Sequence, residues 1–364
     1  MKPRRQLASA FFATALVAGA SFAIGSSATT VPPARTVRAA SAATSDLRVP
    51  VADRRSEDQT YLTFPEWFLV FSPDEDADML EAGQPASAFP FFSHIGQFWG
   101  AYRQVIGATR GRYPFNAEYH TMIVVIGVST TVEYAIKGAY ETLVGRLSEL
   151  ASTPNGTAED RLATREARDY VDFIRVRPWY EFDFLTPLRD LWLRTPSWGP
   201  HPVRKWERRY LLTSEWLIKA GYAALLTHAT HSTFDRPKVT TLAVLEDPSA
   251  DSPAALGLTT LQRDRTGTLV SLPRYQPFTQ VAVALAARGV RFDEIAGNRG
   301  PILASIVVPT VQPVAPGVRV LIRQPILTRP GLERRALEIP VRELSSELAR
   351  HAAAGDEIEH VFDY

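Results

Sequence analysis

The sequence has no cysteine among its 364 residues. Disulfide bonds, thiolate catalysis and cysteine-ligated zinc or iron–sulfur sites are therefore excluded. Any redox chemistry needs a bound cofactor, and no residue pattern identifies one. Recognisable motifs are missing as well: there is no G-x-G-x-x-G or G-x-x-x-x-G-K-[ST] phosphate loop, no G-x-S-x-G elbow and no H-E-x-x-H pair.

Net charge is almost absent. Forty Lys and Arg residues stand against 39 Asp and Glu, which leaves a formal charge of +1. A chain with no overall field has little to attract a polyanion, so we expect no nucleic-acid partner. With 45% hydrophobic residues, the chain is long and apolar enough for a globular protein of two domains.

The N-terminus carries the clearest functional signal. Three basic residues within the first five positions precede an apolar run from Leu7 to Ile24, and small residues follow, with Ser26 and Ala28 at the cleavage positions. This pattern is typical of an export signal. The apolar run is longer than usual, so an uncleaved membrane anchor fits equally well. Residues 1–28 thus predict an exported protein with the membrane as a partner.

The remaining chain divides by composition into three parts. Residues 29–58 are rich in Ala, Ser, Thr and Pro, which predicts a disordered linker. Residues 59–236 predict a mainly helical domain, and residues 237–364 an α+β domain. In the latter, removing one extra strand pair leaves the order β-α-β-β-α-β, which is that of a ferredoxin-like fold.

The stretch from Asn116 to Leu150 is the most apolar and regular part of the chain after the N-terminus. It fits one continuous buried helix with Asn116 as its N-cap. It also fits a buried strand, Met122 to Val128, followed by a helix that begins after Thr130. A membrane span is the third interpretation, although the uncharged middle is only about 18 Å long against about 30 Å of bilayer core.

A second long helix is predicted from Trp206 to Thr233, with Leu212, Trp216, Ala223 and Leu226 on its buried side. Both long helices carry a Glu–Lys pair at i,i+4 spacing. Carboxylates and amines that face one another between two helices can divide acid and base roles. The candidate catalytic residues are therefore Glu133, Lys137, Glu215 and Lys219, with Glu118 and His120 as further members from the first helix.

The end of the second helix offers the best metal-ligand spacing. His228, His231 and Asp235 lie at i, i+3 and i+7, a ligand set that suits a divalent ion. Histidines at a frayed helix end that interact with its dipole explain the same pattern. Glu66 and His94 lie among aromatic residues, and each of them fits either a structural or a functional role.

An Arg- and aromatic-rich connector, residues 176–209, fits a structural loop first and a membrane-surface contact second. Two functional hypotheses follow. The first is an exported, membrane-associated protein that acts in binding or assembly in the cell envelope. The second is an envelope enzyme with a Glu/His site, with or without a metal, between the two long helices, which takes a small-molecule ligand. The cofactor stays unknown in both.

Overall fold

The computed structural model describes residues 47–152, 156–233, 239–246, 252–265, 267–315 and 317–364, without the side chains of 228–233, 252 and 254. The predicted signal or anchor, residues 1–28, and most of the predicted linker lie outside the described residues. Residues 47–58, also assigned to that linker, include Leu47 and Val49, which are buried against strands of the first sheet.

Helices fill the first half of the chain. Their bounds are α1 Gln59–Glu81, α2 Phe91–Thr109, α3 Ala117–Tyr140, α4 Ala158–Ile174, α5 Leu185–Leu193 and α6 Pro202–Thr233. The sequence predicts that Thr157 or Asp160 caps α4. In the structure Thr157 is the N-cap, and Asp160 completes a capping box with it.

The aromatic-rich residues 60–72 predict an extended segment, and Ser72, Pro73 and Glu75 predict the start of a short acidic helix that ends at Gly83. The structure corrects this prediction, because both stretches belong to the single helix α1. It runs through both Pro65 and Pro73 without ending. Proline removes a backbone donor and disfavours a helix interior. Here tertiary packing outweighs that cost, because Tyr61, Phe64 and Phe68 are all buried.

The central stretch forms one continuous helix, which overturns the predicted strand and is common to the buried-helix and membrane-span interpretations. The Asn116 side chain accepts a hydrogen bond from the Tyr119 N–H, as expected of an N-cap. After Tyr140 the helix continues through a π turn, Glu141–Gly145, and one last turn, Arg146–Glu149. The predicted strand is wrong, and the predicted burial is incomplete.

Helix α3 approaches α2 closely at Gly127. A Cβ atom at this position would lie 2.3 Å from the Phe98 ring and 2.8 Å from Trp99. We expect Gly127→Ala to destabilise the protein by about 1–3 kcal/mol, because the rings must shift. Gly221→Ala on α6, where no atom lies within 4 Å of the new methyl group, is the control and should stabilise by about 0.5–1 kcal/mol. Urea unfolding measures both, and equal effects would contradict the packing.

Two four-stranded antiparallel sheets form the second half, with strand orders β2-β3-β1-β4 and β6-β7-β5-β8. The strands are β1 Thr240–Glu246, β2 Thr259–Arg263, β3 Thr268–Pro273, β4 Arg291–Ile295, β5 Pro301–Pro309, β6 Arg319–Pro325, β7 Leu332–Pro340 and β8 Glu357–Val361. Helices α7, Gln276–Ala286, and α8, Leu344–Ala354, precede β4 and β8.

The α+β class is confirmed, whereas the ferredoxin-like order is not. The strands predicted as an extra pair correspond to β6 and β7, which pair with each other, and β7 also pairs with β5 inside the second sheet. The predicted single sheet is therefore two sheets. The linear order of strands and helices was informative, but it did not specify which strands pair.

The two sheets are a structural duplication that the sequence did not reveal. Apart from a four-residue helix, Ser252–Ala255, between β1 and β2, each unit runs strand, strand, strand, helix, strand, with the same order within its sheet. Ala243 of β1 and Ala304 of β5 hold equivalent places in the register. The matched pairs are Ala243↔Val270 with Ala304↔Leu337, and Ala243↔Ile295 with Ala304↔Val361.

The helices of the two units also end alike. Gly289 and Gly355 both adopt left-handed φ angles, 72° and 75°, and the next residue donates to the carbonyl five residues back in both. Helices α7 and α8 pack together and share one apolar core with both sheets. Helices α1 and α2 cover the second sheet, where Phe64 and Phe98 belong to the same cluster as Leu303 and Phe362.

Candidate functional site

Helices α3 and α6 lie side by side and antiparallel. Ion pairs join Glu133 to Lys219 and Lys137 to Glu215 near the middle of α3, and Glu141 to Arg208 further on. The residue numbers rise on one helix as they fall on the other. The facing sides of both helices are therefore charged.

The four predicted catalytic residues come together in this interface. Lys219 Nζ lies 2.7 Å from Glu215 and 3.0 Å from Glu133, and Lys137 Nζ lies 3.6 Å from Glu215. A fifth residue, Asp76 of α1, lies 3.8 Å from Lys137. We call these five residues the charged centre.

The pKa values of two carboxyl groups in the charged centre are shifted in opposite directions. Burial raises the pKa of Asp76 to about 6, against the attraction of Lys137. Burial opposes ionisation of Glu215 too, but the ammonium groups of Lys137 and Lys219 outweigh it and lower the pKa of Glu215 to about 2. Carboxyl groups whose pKa values are pushed apart suit the separate roles of proton donor and charged partner.

Asp76 is the member that sequence reasoning missed. It was assigned to a short acidic helix, where a carboxylate is normally solvated. In α1 its neighbour Ala77 is buried, and Asp76 Oδ1 is itself buried without a hydrogen-bond partner among the described atoms.

The pH dependence of stability tests this assignment. Because the pKa of Asp76 in the folded protein lies above its ordinary value of 3.8, its stabilising contribution is complete below about pH 4 and is lost as pH rises through about 6. Asp76→Asn cannot ionise. We expect its free energy of unfolding, relative to wild type, to rise by roughly 2–3 kcal/mol between pH 4 and pH 8. Parallel curves in denaturant titrations would show that Asp76 has an ordinary pKa.

A larger buried ionic network continues from the charged centre along α6. Its cations are Arg204, Lys205, Arg208 and Arg209, which we call the basic segment, and all four are buried. The acidic partners come from α4, from the connection between α3 and α4, and from Glu207 of α6 itself, which lies 2.6 Å from Arg208. The contacts to the other elements are Arg204–Asp160 at 2.7 Å, Lys205–Glu159 at 2.9 Å, Arg208–Glu141 at 2.9 Å and Arg209–Glu159 at 3.0 Å.

The opposite sides of α3 and α6 are apolar and exposed. We call this surface the outer face. Its large apolar side chains are Val124, Val128 and Ile136 from α3, Leu143, Val144, Leu147 and Leu150 from the continuation of α3 after Tyr140, and Val203, Trp206, Tyr210, Leu217, Ile218 and Leu225 from α6. Between residues 202 and 227, where the side chains of α6 are described, no exposed residue is charged.

This arrangement inverts the pattern of a surface helix, which buries its apolar stripe and exposes its charges. Helix α6 does bury Leu212, Trp216 and Ala223 as predicted, whereas Leu226, the fourth residue of that prediction, is only partly buried. It buries the basic segment as well and turns a second apolar side outward. In the described part of the chain, the continuous helix Ala117–Glu149 is also the one long and apolar enough to cross a membrane, with 28% of its most apolar window buried.

Three tryptophans cluster at one end of the outer face. The ring of Trp206 lies 6.2 Å from that of Trp192 and 5.9 Å from that of Trp198. Trp198 is 76% exposed. An indole ring is apolar with one polar N–H, and such rings concentrate where a protein meets the boundary between lipid and water.

The other predicted site residues do not join the charged centre. Glu118 is exposed, and His120 bonds to the Tyr102 hydroxyl at 2.9 Å beneath the stacked ring of Phe115. Glu66 accepts a 2.8 Å hydrogen bond from the Tyr119 hydroxyl, and burial raises the pKa of Glu66. These residues lie near the beginning of α3, away from α6.

His94 lies between a serine and a carboxylate, as in a hydrolase triad, but its two ring nitrogens are exchanged relative to a triad and no substrate has access to it. Ser72 Oγ lies 2.8 Å from His94 Nδ1, and His94 Nε2 lies 3.5 Å from Glu75. Burial lowers the pKa of His94 to about 3, so the ring is neutral and the approach to Glu75 is not an ion pair. Because Ser72 and His94 are at most 1% exposed, no substrate can reach the hydroxyl. This group contributes to packing.

The predicted metal site cannot be placed. Asp235 and the side chains of His228 and His231 lie outside the described residues. Among the side chains that are described, no group of three or more His, Asp or Glu has the arrangement of a metal site. The ligand set His228, His231 and Asp235 therefore stays a prediction.

No protein-family model, curated protein or solved structure matches this chain.

Proposed function

We propose that this protein acts at a membrane surface in the cell envelope, to which it docks by the outer face of α3 and α6. One observation carries the proposal: α6 buries four cations and exposes an uncharged apolar side. Exposed apolar patches of this extent are rare on monomeric soluble proteins and mark surfaces that something covers.

A lipid surface suits the outer face better than water or a second protein domain. An amphipathic helix that lies in the interface plane keeps its polar side toward the protein and its apolar side in the acyl boundary. The tryptophan cluster is at one end of this side, where an interfacial residue is expected. Since α3 and α6 are apolar on one side only, the pair fits contact along the membrane and not a crossing.

Residues 1–28, as export signal or anchor, bring the protein to the outer side of the membrane in this proposal. When they are retained as an anchor, they also add a second attachment. One apolar attachment is generally weak and reversible, and two give stable association. The working role is binding or assembly on that surface.

Vesicle flotation of the chain without Leu7–Ile24 separates the two attachments. We expect this variant to float with phosphatidylcholine–phosphatidylglycerol vesicles, and to do so at low and high salt, because apolar contact is not screened. A variant that stays at the bottom of the gradient would leave the N-terminal segment as the sole attachment. Salt-sensitive flotation would point to charge instead of the outer face.

An acid–base enzyme at the charged centre is the second candidate. The observation in its favour is that the pKa values of Asp76 and Glu215 are shifted in opposite directions, while both carboxyl groups lie next to Lys137. A thermal-shift screen of small polar metabolites tests it. A ligand whose shift disappears in Asp76→Asn and persists in Glu118→Gln, an exposed residue outside the charged centre, supports this site. Shifts that survive Asp76→Asn argue against it.

A further inference from the structure

A cleft of about 420 Å³ lies between α6 and the segment that leads into α5. One wall carries Tyr180, Phe182, Phe184 and Leu185, and the other is α6 itself. Its volume falls within the range of about 300–1,000 Å³ that small-molecule sites occupy.

The α6 side of the cleft is smooth. It consists of Ala220, Ala223, Ala224 and Thr227, which lie along one side of the helix because they are spaced by three or four residues. Small side chains let a slender apolar molecule lie close to the helix backbone. With aromatic rings opposite, the cleft suits a flexible chain better than a bulky ring system.

The cleft provides little for a polar ligand. Among the described residues that line it, Asp183 is the one that carries a charge. Its carboxylate already accepts hydrogen bonds from the N–H groups of Leu185 and Thr186 and from the Thr186 hydroxyl. The Thr186 hydroxyl also helps to lower the pKa of Asp183. An ionised carboxylate here disfavours a ligand with a negative head group.

The cleft borders the outer face. Ala224 lines the cleft and is exposed, next to Leu225 of the outer face. We infer that the cleft binds one acyl chain of a neutral or zwitterionic membrane lipid. This inference rests on the proposed function, because the docked outer face would bring the cleft to the lipid.

Photolabelling of the full chain tests it without a bilayer. The probe is lysophosphatidylcholine with a diazirine in its acyl chain, used below its micellar concentration. We expect adducts on residues 180–185 and 220–227. Ala224→Phe fills the cleft from an exposed position and should lower the yield about tenfold, whereas Ala139→Phe, exposed on α3, should leave it unchanged. Adducts spread over the outer face, with equal yield in both variants, would overturn the inference.

A second variant and a competition experiment distinguish a misfolded protein from a wrong inference. Leu185→Ala removes an exposed wall residue and should also lower the yield, which guards against misfolding of Ala224→Phe. Free palmitate should compete poorly because of Asp183, and competition as strong as that of unlabelled lysophosphatidylcholine would contradict the lipid assignment. Photolabelling uses no vesicles, so its result does not depend on membrane docking. If the cleft is labelled but the protein fails to float with vesicles, only the docking proposal is rejected. If the protein floats but the cleft is not labelled, only this inference is rejected.

Discussion

Leu147→Glu with Ile218→Glu should abolish vesicle binding by the chain that lacks Leu7–Ile24. Both side chains are exposed, at 69% and 55%, so neither is needed for the core. Burying one large apolar side chain in lipid contributes about 1.5–3 kcal/mol. Losing two therefore weakens partitioning by about a hundredfold or more, and the new carboxylates add a desolvation cost.

The matched control is Leu261→Glu with Val311→Glu. These residues are exposed and apolar but belong to β2 and to the connection after β5, outside the outer face. The control adds the same charge and removes the same kind of side chain. Flotation should be unchanged in the control, and a similar loss in both double variants would mean that added negative charge alone causes release. If gel filtration shows wild-type dimers that the outer-face variant loses, the outer face binds a second copy instead.

Glu159→Gln should produce the largest loss of stability among single changes in the ionic network. Glu159 is fully buried and is the hydrogen-bond acceptor for both Lys205 and Arg209. Its neutralisation leaves a buried ammonium group without its partner. Breaking a buried ion pair from one side costs about 3–5 kcal/mol, so we expect a loss of that size in urea unfolding.

A second substitution distinguishes this cause from a packing defect. Adding Lys205→Met to Glu159→Gln removes the unpaired cation. The double variant should therefore regain part of the lost free energy of unfolding, and a double-mutant cycle measures this coupling. Glu133→Gln is the control, because Glu133 is 44% exposed and its pair with Lys219 is worth at most about 1 kcal/mol. Equal effects of Glu159→Gln and Glu133→Gln, or no recovery with Lys205→Met, would contradict a buried network.

Much of the charged centre was predictable because helical spacing is periodic. Glu133 with Lys137, and Glu215 with Lys219, lie at i,i+4 on their own helices, and the prediction that the two helices face each other brought the four together. Asp76 was not predictable in the same way. Its role depends on how α1 packs against α3, and an acidic run that includes Asp76 ordinarily indicates a solvated helix.

The outer face was missed for a related reason. Charged residues normally lie outside, so the basic segment was interpreted as part of a surface connector. Its burial depends on Glu141, Glu159 and Asp160, which lie far from it in sequence. Once those partners occupy the inner side, the apolar residues of α6 have to face outward.

The duplication of the two sheets escaped detection because it is a property of backbone pairing. Ala243 and Ala304 are identical, but Glu294 and His360, which also hold equivalent register positions, share no chemistry. The alternation of strand and helix patterns in the sequence predicted where the elements lie, but it did not predict which strands pair. Antiparallel pairing across a long connection is not specified by local sequence.

The most direct test of the account is a fluorescent label at single cysteines, for which the cysteine-free chain needs no background substitution. An environment-sensitive dye would be placed at Leu147→Cys, Ile218→Cys and, as a control, Val311→Cys. On addition of phosphatidylcholine–phosphatidylglycerol vesicles, we expect a blue shift and loss of access to an aqueous quencher at the first two positions only. Dyes at Leu147 and Ile218 that stay as accessible as the dye at Val311 would contradict docking by the outer face.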